Sequence, residues 1–82
     1  MSQGHYVIKY YKYFVQIGLN IMRFRKERGL TQKELGKMAG YSCNQIGRVE
    51  SANSVPTLAL LLDVAEALDV PLEWILEDRK RT

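Results

Sequence analysis

The sequence predicts an all-α domain of five short helices, and three observations carry that expectation. Apolar residues recur three and four positions apart through most of the chain. Residues that start and stop helices bracket each of those segments. No segment makes a convincing sheet. The clearest case is Thr31 to Glu50, with helical apolar spacing on both sides of a break at Gly40-Tyr41-Ser42. Leu35, Met38 and Ala39 form the inward face before the break, and Ile46 and Val49 after it. Gly40 is suited to a left-handed C-cap and Ser42 to capping the next helix. Two short helices about a tight glycine turn make a helix-turn-helix.

Residues 1–15 are set apart as an N-terminal extension. Tyr6 to Val15 is rich in aromatic and β-branched residues, which suits a strand. Val7, Tyr10, Tyr11, Phe14, Ile17 and Ile21 also fall at helical spacing, so a helix running into the next segment is the preferred reading. Met1 to His5 is expected to be disordered.

The main domain is expected over residues 16–78. Its first helix spans Ile17 to Arg28, with Ile17, Ile21 and Phe24 inward and Gly29 as the stop. Thr31 caps the next helix, about residues 31–39, and Glu34 completes a capping box. Gly36 inside that helix costs about 1 kcal/mol relative to Ala; close approach of the following helix would explain it. The third helix is placed at about residues 42–51.

Val55-Pro56 marks an extended approach, and Thr57 caps a fourth helix from Leu58 to Leu68. Leu58, Leu61, Leu62, Ala65 and Leu68 are expected to face inward. Pro71 opens a short last helix to about Glu77, in which Trp74 is either core or interface. Residues 79–82 form a frayed basic tail.

The 82 residues, 46% of them hydrophobic, are enough for one small core. Net charge is +3 and unevenly placed. From Leu19 to Glu50 seven bases oppose three acids, a net +4; from Ser51 to Asp78 six acids stand with no base. A polyanion is attracted to the first half and repelled by the second, unless these are simply solvated helix faces. One Cys forms no internal disulfide, which fits a reducing, cytoplasmic setting. No signal-peptide architecture opens the chain, and the apolar run Leu58 to Leu62 is too short to span a bilayer. An enzyme is not expected. His5 is the only histidine, one Cys excludes a thiolate zinc cluster, and no Gly-rich phosphate loop precedes a helix, so neither metal nor cofactor is anticipated.

The run Ile17-Gly18…Ile21…Phe24-Arg25-Lys26-Glu27-Arg28-Gly29-Leu30-Thr31-Gln32…Glu34-Leu35 resembles the opening of phage repressor and Cro-type (XRE-type) helix-turn-helix domains. Ser42…Ile46…Val49-Glu50, Pro56-Thr57-Leu58, Ala65…Ala67-Leu68 and Leu72…Trp74-Ile75-Leu76 continue that pattern in order. The resemblance covers roughly residues 17 to 76. It implies a compact lambda-repressor-like fold, with the aromatic extension added. It also implies a DNA-binding transcriptional regulator whose third helix enters the major groove.

Carried over residue by residue, the resemblance assigns Cys43, Asn44, Gln45 and Arg48 to bases. Asn44 suits adenine and Arg48 guanine. Gln45 is left open between base and phosphate. Gln32, Ser42 and Asn53 are assigned to phosphates. Arg25 and Glu50 match a buried ion pair tying the first helix to the end of the third. Where the family often places a glycine and bases after that helix, this chain has Ser51-Ala52-Asn53-Ser54. Phosphate contacts there would come from backbone N–H groups, Asn53 or serine hydroxyls. Cys43 is read as a tolerated small thiol or as a point of redox control.

A single unit reads few base pairs, so a homodimer on a palindromic double-stranded site is expected, using Tyr10, Phe14 and Trp74 as its interface. The competing reading is a protein-interaction module, such as an antitoxin or adaptor, with a protein partner on the aromatic segment or the acidic half. Neither reading involves a membrane.

Overall fold

The computed structural model describes residues 9–78. Five helices succeed one another in order: α1 (Tyr11–Glu27), α2 (Gln32–Ala39), α3 (Cys43–Glu50), α4 (Leu58–Leu68) and α5 (Leu72–Leu76). The described residues contain no strand. The expectations for Met1 to His5, for Tyr6 and Val7, and for the tail 79–82 lie outside the described residues. From Tyr11 onward the aromatic segment is helical and continues without interruption through Ile17 to Glu27, so α1 begins well before Ile17.

Punctuation accounts for the boundaries. α1 ends in a Schellman turn: Gly29 adopts φ 68°, and its N–H reaches the Lys26 carbonyl while that of Leu30 reaches Arg25. At α2, Thr31 Oγ1 accepts from the Glu34 N–H, and Glu34 Oε1 accepts from the Thr31 N–H at 2.8 Å. Those bonds, the backbone one first, hold the Glu34 carboxyl below the ordinary range. Thr57 Oγ1 accepts from the Leu60 N–H to open α4. Two other helix ends repeat the left-handed turn without glycine, with Ala52 after α3 (φ 61°) and Asp69 after α4 (φ 57°). Pro71, expected inside the last helix, stands just before it as the N-cap.

All five helices supply the core: Ile21 and Phe24, Leu35, Ile46 and Val49, Leu61 with Val64, Ala65 and Leu68, and Ile75. Each of these side chains apart from Ala65 contributes about 1.5–3 kcal/mol through burial. Three residues expected inside are not. Met38 is 56% exposed, Leu58 63% and Leu62 48%. In α2 the buried arc centres on Leu35 and Gly36, because the turn before α3 presses on Gly36 and rotates Met38 outward. In α4 apolar residues ring most of the helix, so periodicity alone does not choose a face. Leu60, Leu61, Val64, Ala65 and Leu68 take the inner arc, leaving Leu58 and Leu62 outside.

Asn20 is the buried polar group the sequence did not announce. Its Nδ2 donates to the carbonyls of Ile75 and Glu77, both at 2.8 Å, and its Oδ1 accepts from Gln16 Nε2. This amide clamps the end of α5 onto α1 and satisfies carbonyls that a five-residue helix leaves open. Trp74 is half exposed and stacks on Phe24, with ring centroids 6.0 Å apart. The Arg23 guanidinium lies 4.2 Å from the Phe24 ring centroid.

Candidate nucleic-acid interface

α3 is seated by backbone contact at both ends. A Cβ on Gly36 would stand 2.5 Å from the Tyr41 carbonyl oxygen, so the turn into α3 lies directly on α2. At the far end, the carbonyls of Val49 and Glu50 lie against Gly18 of α1 in the same way. Gly40, at φ 91°, makes the reversal between α2 and α3, and its N–H and that of Tyr41 both reach the Gly36 carbonyl at 2.8 Å. Tyr41 braces the turn from outside by donating its hydroxyl to Asp63 of α4 at 2.6 Å. That bond raises the phenol above its ordinary range.

A buried charge network fixes the rotation of α3. Arg25 Nε donates to Glu50 Oε2 at 2.7 Å and Arg25 Nη2 to Glu50 Oε1 at 3.0 Å, a two-pronged pair. Arg25 Nη1 donates to the Leu30 carbonyl at 2.8 Å, so the guanidinium is satisfied on three sides. The hydrogen bond to Glu50 raises the Arg25 pKa further above its ordinary value, against the opposing effect of burial. Gln32 Nε2 donates to Glu50 Oε1 at 3.0 Å. One of the two amide hydrogens of Gln32 is therefore committed to the network, and its carboxamide lies over Gly47.

Ser42, Cys43, Asn44, Gln45 and Arg48 are all exposed. Asn44 and Arg48 are four residues apart, and Gln45 and Arg48 three, so they share one face of α3. The opposite face buries Ile46 and Val49. Ser42 Oγ accepts from the Gln45 N–H at 3.1 Å, and Gln45 Oε1 accepts from the Ser42 N–H at 2.8 Å, a second capping box whose Ser-x-x-Gln spacing was legible in the sequence beside the expected Ser42 cap. The Ser42 hydroxyl proton is left free to be given outward. Lys33 and Lys37 are exposed on α2, so the helix pair presents positive charge beside its polar face.

The segment after α3 offers fewer donors than its sequence suggests. The N–H groups of Ser51, Ala52 and Asn53 all bond back to α3 carbonyls, those of Gly47, Val49 and Arg48. Ser51 Oγ donates to the Gly47 carbonyl at 2.8 Å and accepts from Asn53 Nδ2 at 3.0 Å. What remains is the exposed Asn53 amide, with one hydrogen unspent, and the half-buried Ser54.

Tyr10, Phe14 and Trp74 are not gathered into one cluster. Tyr10 faces Tyr13, Phe14 is half-buried, and Trp74 leans on Phe24. The stripe of α1 that buries Ile21 and Phe24 runs on through Ile17 to Phe14 and Tyr10. Beside it an open groove of about 520 Å³ is lined by Lys12, Tyr13, Gln16, Ile17, Leu76 and Asp78. Among the described residues, no helix is long and apolar enough to cross a membrane.

A family model described as helix-turn-helix matches residues 21–75. The uncharacterized HTH-type transcriptional regulator YazB of Bacillus subtilis (strain 168) is 32% identical over 63 residues, covering 77% of this chain and 91% of YazB. The structure of the P22 c2 repressor protein in complex with a synthetic operator superposes with a TM-score of 0.70 at 31% identity, covering 74% of this chain and 92% of that one. The restriction-modification controller protein C.AhdI from Aeromonas hydrophila gives 0.74 at 27% identity, over 76% and 94% of the two chains. With a glycine-seated α3, an exposed polar face on it and a family match across α1 to α5, the chain is a member of the helix-turn-helix family.

Proposed function

We propose that this protein is a sequence-specific double-stranded DNA-binding transcriptional regulator, acting without catalysis in the cytoplasm as a homodimer on a palindromic site. One observation carries the reading: Cys43, Asn44, Gln45 and Arg48 stand exposed on one rigidly seated helix whose other face is core. Laid in the major groove, that face meets base edges. Asn44 has both halves of its amide available for adenine, and Arg48 carries the fork that matches guanine O6 and N7. Cys43 and Gln45 flank them. Ser42, the second hydrogen of Gln32 and the Asn53 amide serve phosphates. Likeness to the P22 c2 repressor, whose structure holds an operator, supports the same docking here.

The two copies join through the part of α1 that overhangs the core, with Tyr10 and Phe14 on its apolar stripe and Trp74 at the neighbouring helix. Tyr10 and Phe14 precede the matched residues 21–75, while Trp74 lies within them. Removing residues 1–13 weakens the dimer in sedimentation. An unchanged profile takes α1 out of the interface.

Selection of bound duplexes from a random pool, repeated with Arg48→Ala, tests the reading. Loss of preference at one base pair, worth about 1–3 kcal/mol, places Arg48 on a base. Uniform weakening moves it to phosphate. A protein-interaction module, an antitoxin or adaptor, is the second reading, favoured by the exposed aromatic half of α1 and by the acids of residues 51–78, which no base accompanies. It predicts no retention of any duplex at low salt, where DNA binding predicts a log–log salt slope of about −0.9 per phosphate neutralised.

A further inference from the structure

Gln45 is third in α3, and its carboxamide is half spent within the protein. Its Oε1 accepts the Ser42 N–H at 2.8 Å. A backbone N–H only donates, so the amide atom facing it must be the oxygen, and the –NH2 must be the other atom. Gln45 is exposed, and its –NH2 makes no hydrogen bond among the described residues. A glutamine with both ends free pairs with adenine, donating to N7 while accepting from the N6 amine. Here the oxygen is already held on the Ser42 N–H by one lone pair, and the uncommitted hydrogens lie on the –NH2.

We propose that Gln45 reads DNA as a donor only. Its –NH2 suits an edge that presents only acceptors, which guanine provides as O6 and N7, the nitrogen sitting between the two. Adenine offers N7 alone and turns its N6 amine, donor against donor, toward the Gln45 –NH2. A phosphate oxygen is the other source of the same acceptor chemistry. The capping box thus divides the work of α3. Asn44, whose carboxamide makes no hydrogen bond among the described residues, takes adenine, and Gln45 takes an acceptor. This inference rests on the DNA-binding reading above and constrains which sites that reading allows.

The test uses the full chain and two variants. Gln45→Glu keeps an oxygen for the Ser42 N–H and removes the donors; Gln45→Ala removes both. Without DNA, the Ser42 amide is expected to exchange slowly in the parent and in Gln45→Glu, and several-fold faster in Gln45→Ala. Equal exchange in all three overturns the proposal, because the oxygen is then not held. In duplex selection, Gln45→Glu is expected to lose a guanine preference of about 10-fold or more at one base pair and to turn toward cytosine, whose N4 donates. Uniform weakening across sequences in both variants supports a donor with phosphate as its target; uniform weakening in Gln45→Glu alone reports the added negative charge beside DNA and overturns the proposal. An adenine preferred by the parent at that pair and lost in Gln45→Glu overturns it, as does an unchanged profile with unchanged affinity. A parent protein that enriches no duplex removes the DNA-binding reading and this proposal with it. That outcome is distinct from a parent that enriches a site which Gln45→Glu reads identically.

Discussion

A Cβ on Gly18 would stand 2.5 Å from the backbone oxygen of Glu50 and 2.6 Å from that of Val49. Carbonyl oxygens in a helix end do not rotate away as a side chain does, so an added methyl must move α1 or α3. Gly18→Ala gains about 1 kcal/mol of helix propensity, against about 1–3 kcal/mol for overpacking. The contact sits at the tight end of that scale, so net destabilisation of about 1–2 kcal/mol is expected. Urea denaturation measures it, and a midpoint at or above that of the parent would mean the seat yields.

The Arg25–Glu50 pair is the most expensive single charge contact to break. Glu50→Gln strands a buried guanidinium and weakens the hydrogen bond from Gln32, with an expected cost of about 3–5 kcal/mol. Glu34→Gln serves as its control, because glutamine still completes a capping box at an exposed position. Equal denaturation midpoints for the two variants would show that Glu50 does not act as a buried anion.

Acid should act on Glu34 in a defined direction. Its folded carboxyl lies below the ordinary range, because it accepts the Thr31 N–H. A lowered folded pKa means that the bond stabilises fully above the unfolded value and is lost as pH falls through the folded one. The thermal midpoint of the parent should therefore exceed that of Glu34→Gln at about pH 6, and the gap should shrink as pH falls below the ordinary glutamate range. A gap that widens on acidification would contradict the cap.

Asp69 ends α4 in the left-handed conformation, with no base in the last turn of that helix. Its charge opposes the negative end of the helix dipole. Asp69→Asn keeps a side chain that tolerates the turn and removes the charge, for an expected gain of about 0.3–1 kcal/mol at low salt. The gain should shrink in about 0.5 M salt, where screening reaches within one helical turn. A gain independent of salt would point away from the dipole.

Much of this architecture is legible because its signals are local. Thr31 with Glu34, Thr57 before Leu58, and Gly29 and Gly40 after their helices each mark a boundary through their own backbone preferences. What stayed hidden depends on neighbours distant in sequence. Asn20 looks like any polar residue until the end of α5 arrives above it. Gly18 looks like a weak point in α1 until the carbonyls of α3 rest on it. Met38 and Leu62 obey helical spacing yet face outward, because each spacing fits two arcs and tertiary contact chooses one. In the candidate interface, residue types announce who is exposed but not whose hydrogen bonds are already taken. Gln32 proves partly committed only once Glu50, 18 residues on, is seen, whereas the commitment of Gln45 is written locally in its spacing from Ser42.

The glycine seats under α3 carry a consequence for how such a protein changes over generations. Because carbonyls at the end of α3 rest on Gly18 and those of the turn before it rest on Gly36, its placement owes little to Cys43, Asn44 or Arg48. Those positions can be exchanged as a set with small effect on folding, since surface substitutions usually shift stability by no more than about 0.5 kcal/mol. A lineage built this way can acquire a new target by swapping a reading head, while the bearing beneath it stays as it was.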